Sequence, residues 1–155
     1  METIKEAKDF LRRNWTAGAK CPCCQQNVKL YKRPLGSAQA AALIVTWKLH
    51  KKGKIWVHVQ DDIIVGAKIN IKGDFAKCRF WGLIRSLENE DPTKKDSGWW
   101  QLTQKGIDFV KNQKRVYSHI YTYNQTFYGF EKSKTISILD ALKNKFDYSK
   151  LIETY

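Results

Sequence analysis

Cys21-Pro22-Cys23-Cys24 is the densest group of reactive side chains in the chain. Cys21 and Cys24 stand at the spacing at which two thiolates of one tight turn reach a single tetrahedral metal. Zinc is therefore the one cofactor the sequence raises, with Cys21 and Cys24 as its ligands. Gln25 stands where such a turn usually has Gly, and no second Cys-x-x-Cys follows. Cys23 could add a third sulfur only with strain. His50 and His58 are the remaining candidates nearby, and Cys78 is expected in a buried helix face. The same four residues also read as a turn that keeps the knuckle shape without metal, or as a redox pair. All three readings stay open.

A second group is basic. Lys77 and Arg79 fall opposite Phe75, Cys78 and Trp81 on a helix expected from Asp74 to Trp81. An Arg fork matches the O6 and N7 acceptors of guanine. Lys72 and Arg85 flank that helix and are placed to take phosphates, as are Lys94 and Lys95 in the loop Glu88–Gly98. The plain alternative is a solvated basic face. The loop also carries Glu88, Glu90, Asp91 and Asp96, and an acidic tip is repelled by a phosphate backbone. Phe80 is expected outward on the same helix, where it either packs under the hairpin or touches a partner protein.

Tyr117, His119, Tyr121 and Tyr123 share one face of a strand beside Lys114 and Arg115. That face reads as packed against a helix, or as a stacking platform for single-stranded nucleic acid. Nothing resembles an active centre: the three His are scattered and no Gly-rich phosphate loop is present. The chain is read as a non-enzyme.

The 155 residues carry 28 Lys and Arg against 15 acids, a formal charge of +13 and a pI near 9.6. Such a surplus favours polyanions, because phosphate contacts release condensed counterions. No apolar run approaches a membrane span, and the start METIKEAKDFLRRNW has no apolar signal core. An intracellular location follows, with the four Cys reduced or metal-bound.

The elements that must position these groups are legible in outline. A helix runs from Thr3 to Trp15, capped by Thr3 and Glu6, with Ile4, Ala7, Phe10, Leu11 and Trp15 in one stripe. It serves for packing or for dimerisation. Val28 to Arg33 alternates as a strand. Ser37 caps a helix through Lys52, buried along Ala40, Leu43, Ile44 and Trp47, and Gly53 ends it. Ile55 to Val59 is a strand, and Asp61 or Asp62 caps a short helix after it. Trp47 and Trp81 are expected in one core. The Asp74–Trp81 helix stops at Gly82, and strands Leu83–Leu87 and Trp99–Leu102 flank the polar loop. Thr103 caps a helix to about Lys111, with Ile107 and Val110 inward. Val116, Ser118, Ile120 and Thr122 form the inner side of the tyrosine strand. Asn124-Gln125 turns it back on Thr126–Phe130. Ser137 and Asp140 cap a last helix with Leu139, Leu142 and Phe146, and Leu151 and Ile152 tuck the end down.

The run FWGLI, a polar hairpin and then WWQLTQKGIDFV resembles winged helix-turn-helix proteins, including MarR-like regulators, over roughly Gly36 to Val110. The resemblance implies an α+β fold with a winged helix-turn-helix core at 36–112. To it are added an N-terminal helix and Cys turn at 1–35 and a C-terminal β-hairpin plus helix at 113–155, all in one domain of 1–155. CPCCQQNVKLYKR, FAKCRFWGLI, WWQLTQKGIDFV and ISILDALKNKFDY are similar to stretches of small bacteriophage proteins, which implies a phage or prophage source and a bacterial cytoplasm. Double-stranded DNA is the expected partner. The alternative is a small interaction protein that binds a host or phage protein. A homodimer is compatible with either, and no membrane partner is expected.

Overall fold

The structure, a computed structural model, describes residues 3–88 and 97–153. In chain order its elements are α1 (Ile4–Asn14), β1 (Ala19–Lys20), β2 (Asn27–Val28), β3 (Tyr31–Pro34), α2 (Ser37–Lys51) and β4 (Val57–His58). A π-helical segment, Val59–Gly66, and two 3-10 segments, Lys72–Asp74 and Ala76–Trp81, follow. Then come β5 (Ile84–Ser86), β6 (Trp99–Leu102), α3 (Gln104–Val110), β7 (Val116–Tyr123), β8 (Thr126–Ile136), α4 (Ile138–Leu142) and α5 (Tyr148–Glu153). Among the described residues the chain is α+β with three small antiparallel sheets, and it packs as two compact units: Met1–Pro34 with His119–Lys132, and Leu35–Ser118 with Ser133–Tyr155.

In the first unit, Thr3 caps α1 by accepting the Glu6 N–H at 3.1 Å. Of the expected apolar stripe only Ala7 is fully buried, and Ile4 is 70% exposed. β1 and β2 pair across Ala19↔Val28 and close a hairpin around the cysteines. The single strand expected over Val28–Arg33 is split, because the Leu30 N–H donates to the Trp15 carbonyl at 2.8 Å. That bond takes the backbone out of one ladder before β3 enters another. β3 pairs with β7 from Tyr31↔Thr122 to Pro34↔His119, and β7 is the central strand in the order β3-β7-β8. Asn124 and Gln125, at φ 50° and 62°, form the two-residue turn between β7 and β8, the left-handed pair that such hairpins demand. β8 continues to Ile136, well past the expected end at Phe130.

In the second unit, α2 is buried almost all round rather than along one face, since Ala40, Ala41, Ala42, Leu43 and Ile44 form an unbroken run without a polar side chain. Its start is capped by Gly36 rather than Ser37, and the Gln39 Oε1 accepts the Gly36 N–H at 2.8 Å. Trp47 is only half-buried, with the Lys51 and Lys111 ammonium groups 5.8 and 6.0 Å from its ring. Trp100 takes the interior place instead, edge-on to Phe75 at 6.3 Å.

The helix after β4 is capped by His58, whose Nδ1 accepts the Asp61 N–H at 3.3 Å. Asp62 reaches back to accept the His58 N–H at 2.8 Å and the Lys54 ammonium at 2.7 Å. Burial pushes the Asp62 carboxyl up, but these bonds and the nearby positive charge outweigh it and leave it below its ordinary value. The stabilisation is thus present above the usual carboxylate range and lost as pH falls through the lowered value.

The segment before β5 is 3-10 rather than α-helical. Phe75, Cys78 and Trp81 recur every third residue, which stacks them on one edge of a helix with three residues per turn. All three are 0–1% exposed, and the segment ends at left-handed Gly82. The Trp81 Nε1–H donates to the Tyr117 carbonyl at 2.7 Å. β6 pairs with β4 through Val57↔Trp100 and with β5 through Ile84↔Leu102, giving the sheet order β4-β6-β5.

Thr103 caps α3 by accepting the Gly106 N–H at 3.1 Å. Phe109 and Val110 are buried, while Ile107 is half-buried. His50 ties α2 to β6: its Nδ1 lies 2.7 Å from the Lys54 carbonyl, and its Nε2 accepts the Leu102 N–H at 3.1 Å. A carbonyl can only accept, so the ring is held as the Nδ1–H tautomer. Ser137 and Asp140 cap α4 reciprocally at 3.2 and 3.0 Å. Ile138, Ala141 and Leu142 point inward and the expected Leu139 points outward. No helix among the described residues is long and apolar enough to cross a membrane.

Candidate nucleic-acid interface and cysteine turn

The three-residue turn of the Ala76–Trp81 segment sets where its charges go. Positions three apart eclipse one another, so Lys77 lies over Asp74 and pairs with its carboxylate at 3.0 Å. Arg79 lies over Ala76, bonds its carbonyl at 3.3 Å, and stacks on the Phe80 ring with 4.6 Å between guanidinium and centroid. Lys77 and Arg79 therefore sit on different edges, not on one outward face. Arg79 remains exposed, as does Lys72, which holds a left-handed backbone at φ 49° just before the segment.

Arg85 is exposed on β5, where its Nε donates to the Gln101 side chain across the strand pair. Arg79 and Arg85 belong to the stretch that enters and forms β5. Lys94 and Lys95, together with Glu90, Asp91 and Asp96, lie outside the described residues; Glu88 is exposed. A basic residue beside this stretch was missed by reading the sequence. The Lys105 stem lies 3.8 Å from where a side chain on Gly82 would begin, beside the end of the 3-10 segment. Burial, then repulsion from Lys114, lowers its ammonium pKa. Its signal was its place in the first turn of α3, directly after the Thr103 cap.

Cys21 and Cys24 are held by a defined turn. The Gln25 N–H donates to the Cys21 carbonyl at 2.8 Å, the Cys21 N–H donates to the Gln26 carbonyl at 2.8 Å, and Gln25 takes the left-handed conformation at φ 63° that Gly usually supplies there. Backbone N–H groups of Cys24 and then Cys23 bond the Cys21 sulfur and pull its thiol below its ordinary value. Cys23 and Cys24 are exposed. Both Cys21 and Cys24 open onto a cleft of about 410 Å³ whose other walls include Lys8, Arg12, Trp15 and Tyr128. Lys8 was not singled out from sequence, although it stands four residues before Arg12 on α1. Among the described residues, no three His, Cys, Asp or Glu side chains are grouped to hold a metal. Cys78 belongs to the other unit, where burial and then Asp74 push its thiol up. His50 uses both ring nitrogens in backbone bonds.

The tyrosine face is half-buried throughout: Tyr117, His119, Tyr121 and Tyr123 alternate with buried Val116, Ser118, Ile120 and Thr122. Tyr121 bonds Glu131, which raises the phenol's pKa, and Glu131 also meets Lys32 at 3.5 Å. Comparison of the chain with protein-family models, with curated proteins and with solved structures finds no match in any of the three.

Proposed function

We propose that the second unit is a winged helix that binds duplex DNA, as a phage or prophage regulator in the bacterial cytoplasm. The observation that carries this reading is the element order. Helix α2, strand β4, a helical turn, a second helical segment and the β5–β6 hairpin follow one another with β6 central, and α3 closes the set. In a winged helix, the segment before the hairpin meets the major groove and the hairpin loop reaches the backbone. Arg79 is the candidate base reader. Lys72, Arg85, Lys94 and Lys95 are candidate phosphate contacts, and the +13 charge supplies the long-range attraction.

Lys77 is paired with Asp74 in the free protein, and this pair makes a sharp test. Asp74→Asn should tighten duplex binding several-fold, because it releases Lys77 and removes a repelled carboxylate. Lys72→Ala and Lys95→Ala should weaken binding to all sequences alike and lower the salt slope by about one each. Arg79→Ala should cost about 1 to 3 kcal/mol on a preferred site and far less on random duplex. Titrations by fluorescence anisotropy at several salt concentrations read all three effects. Equal losses for Arg79→Ala on every sequence leave only generic adhesion.

The second reading is a protein partner, and the Arg79–Phe80 stack favours it, since a guanidinium laid on an aromatic ring makes an amphipathic contact patch. No duplex binding at about 100 mM salt with micromolar protein decides for that reading.

A further inference from the structure

We propose that Cys21 and Cys24 of two copies of this chain together bind one zinc ion, so that the metal joins the first units of a homodimer. The turn already has the form such a ligand pair needs. Two thiols three residues apart, a left-handed residue directly after the second, and a turn closed by the Gln25 N–H on the Cys21 carbonyl at 2.8 Å are the features that let one loop present two sulfurs to one ion.

Structural zinc takes four ligands, and thiolate sites of this kind are tetrahedral. The described residues of one chain supply a pair here and no third partner grouped with it. A second copy supplies a matching pair through a two-fold axis, the commonest symmetry of homo-oligomers. The reaction balances simply: four thiols give up four protons, and one zinc ion takes four thiolates to form a centre of net charge minus two.

The surroundings suit that charge. Lys8 and Arg12 line the same cleft as the two cysteines, and two copies bring two of each to a dianionic centre. Among the described residues, apolar side chains of the same unit are exposed. Ile4 is 70% exposed and Tyr128 is 46% exposed, while Trp15 meets Tyr128 edge-on at 4.8 Å. A second copy seated across the cleft would bury apolar area beside the metal.

The test uses the full chain, purified without chelator, with zinc measured per chain and mass in solution measured by light scattering. About one zinc for every two chains in a dimer is expected, and chelation by EDTA should return a monomer that dimerises again when zinc is restored. Cobalt substitution at the same ratio should give the intense absorption of a tetrahedral thiolate site. Cys21→Ser or Cys24→Ser should abolish both metal and dimer, whereas Cys23→Ser should keep both. Reversal of the wild-type dimer by EDTA needs no variant to fold. One zinc per monomer, a dimer that survives chelation, or no zinc at all overturns the proposal.

Discussion

Gly106→Ala should cost about 3 kcal/mol or more, the upper part of the range for forcing atoms into a packed interior. An added methyl carbon at Gly106 would lie 2.1 Å from the Leu83 carbonyl oxygen and 3.0 Å from its carbon. Neither atom belongs to a side chain that can swing away. The Leu83 oxygen also accepts the Thr103 N–H at 3.0 Å, so moving it breaks the bond that seats α3. The clash falls where the chain leaves the 3-10 segment and where α3 begins, so relief on one side displaces the other. Urea unfolding measures the effect as a fall in midpoint with the slope unchanged. A loss below about 1 kcal/mol would mean that α3 does not approach Leu83 so closely.

Trp81→Ala should cost about 4 kcal/mol, within the range for deleting a buried large aromatic. Trp81 is 1% exposed and is the last of the three residues on the buried edge of the 3-10 segment. Its indole N–H also satisfies the Tyr117 carbonyl at 2.7 Å, which ties the segment to β7. The two contributions separate by variant. Trp81→Phe keeps most of the ring volume but removes this hydrogen bond, at a cost of about 0.5 to 1.5 kcal/mol. Equal losses for the two variants would place the whole effect in the hydrogen bond and none in packing.

Caps depend on residues three apart and on little else, which made several of them legible; Ser37 and Asp61 or Asp62 were not among them, because Gly36 and His58 hold those places. Thr3, Thr103 and the Ser137–Asp140 pair each make the bond expected of them. Burial inside the short segments was legible where the pattern suited more than one period. Phe75, Cys78 and Trp81 share a side on an α-helix as well as on a 3-10 helix, so their burial was readable. The type of helix was not, and with it went the directions of Lys77 and Arg79. Trp47 and Trp100 were harder still. Helical spacing puts Trp47 on the buried side of α2, yet the all-round burial of that helix left it at the rim, and Trp100 is placed inside by pairing with β4 and β5, a long-range fact that no local window contains. The split of Val28–Arg33 is of the same kind, since it follows from the Trp15 carbonyl. At the cysteines, the spacing suggested the turn, but the cationic cleft around it required α1 to fold alongside.

His50 is held at both ring nitrogens, one by the carbonyl of Lys54 and one by the amide of Leu102. The Leu102 N–H on Nε2 is the bond that crosses from β6 to α2, whereas the Nδ1–H is donated to the Lys54 carbonyl just beyond α2. In an NMR spectrum the Nδ1 proton stands apart from the amide protons, and the two ring nitrogens give distinct shifts that identify the tautomer. The exchange rate of the Leu102 amide proton therefore gauges how often the seam between α2 and β6 opens, separately from the unfolding of the unit as a whole.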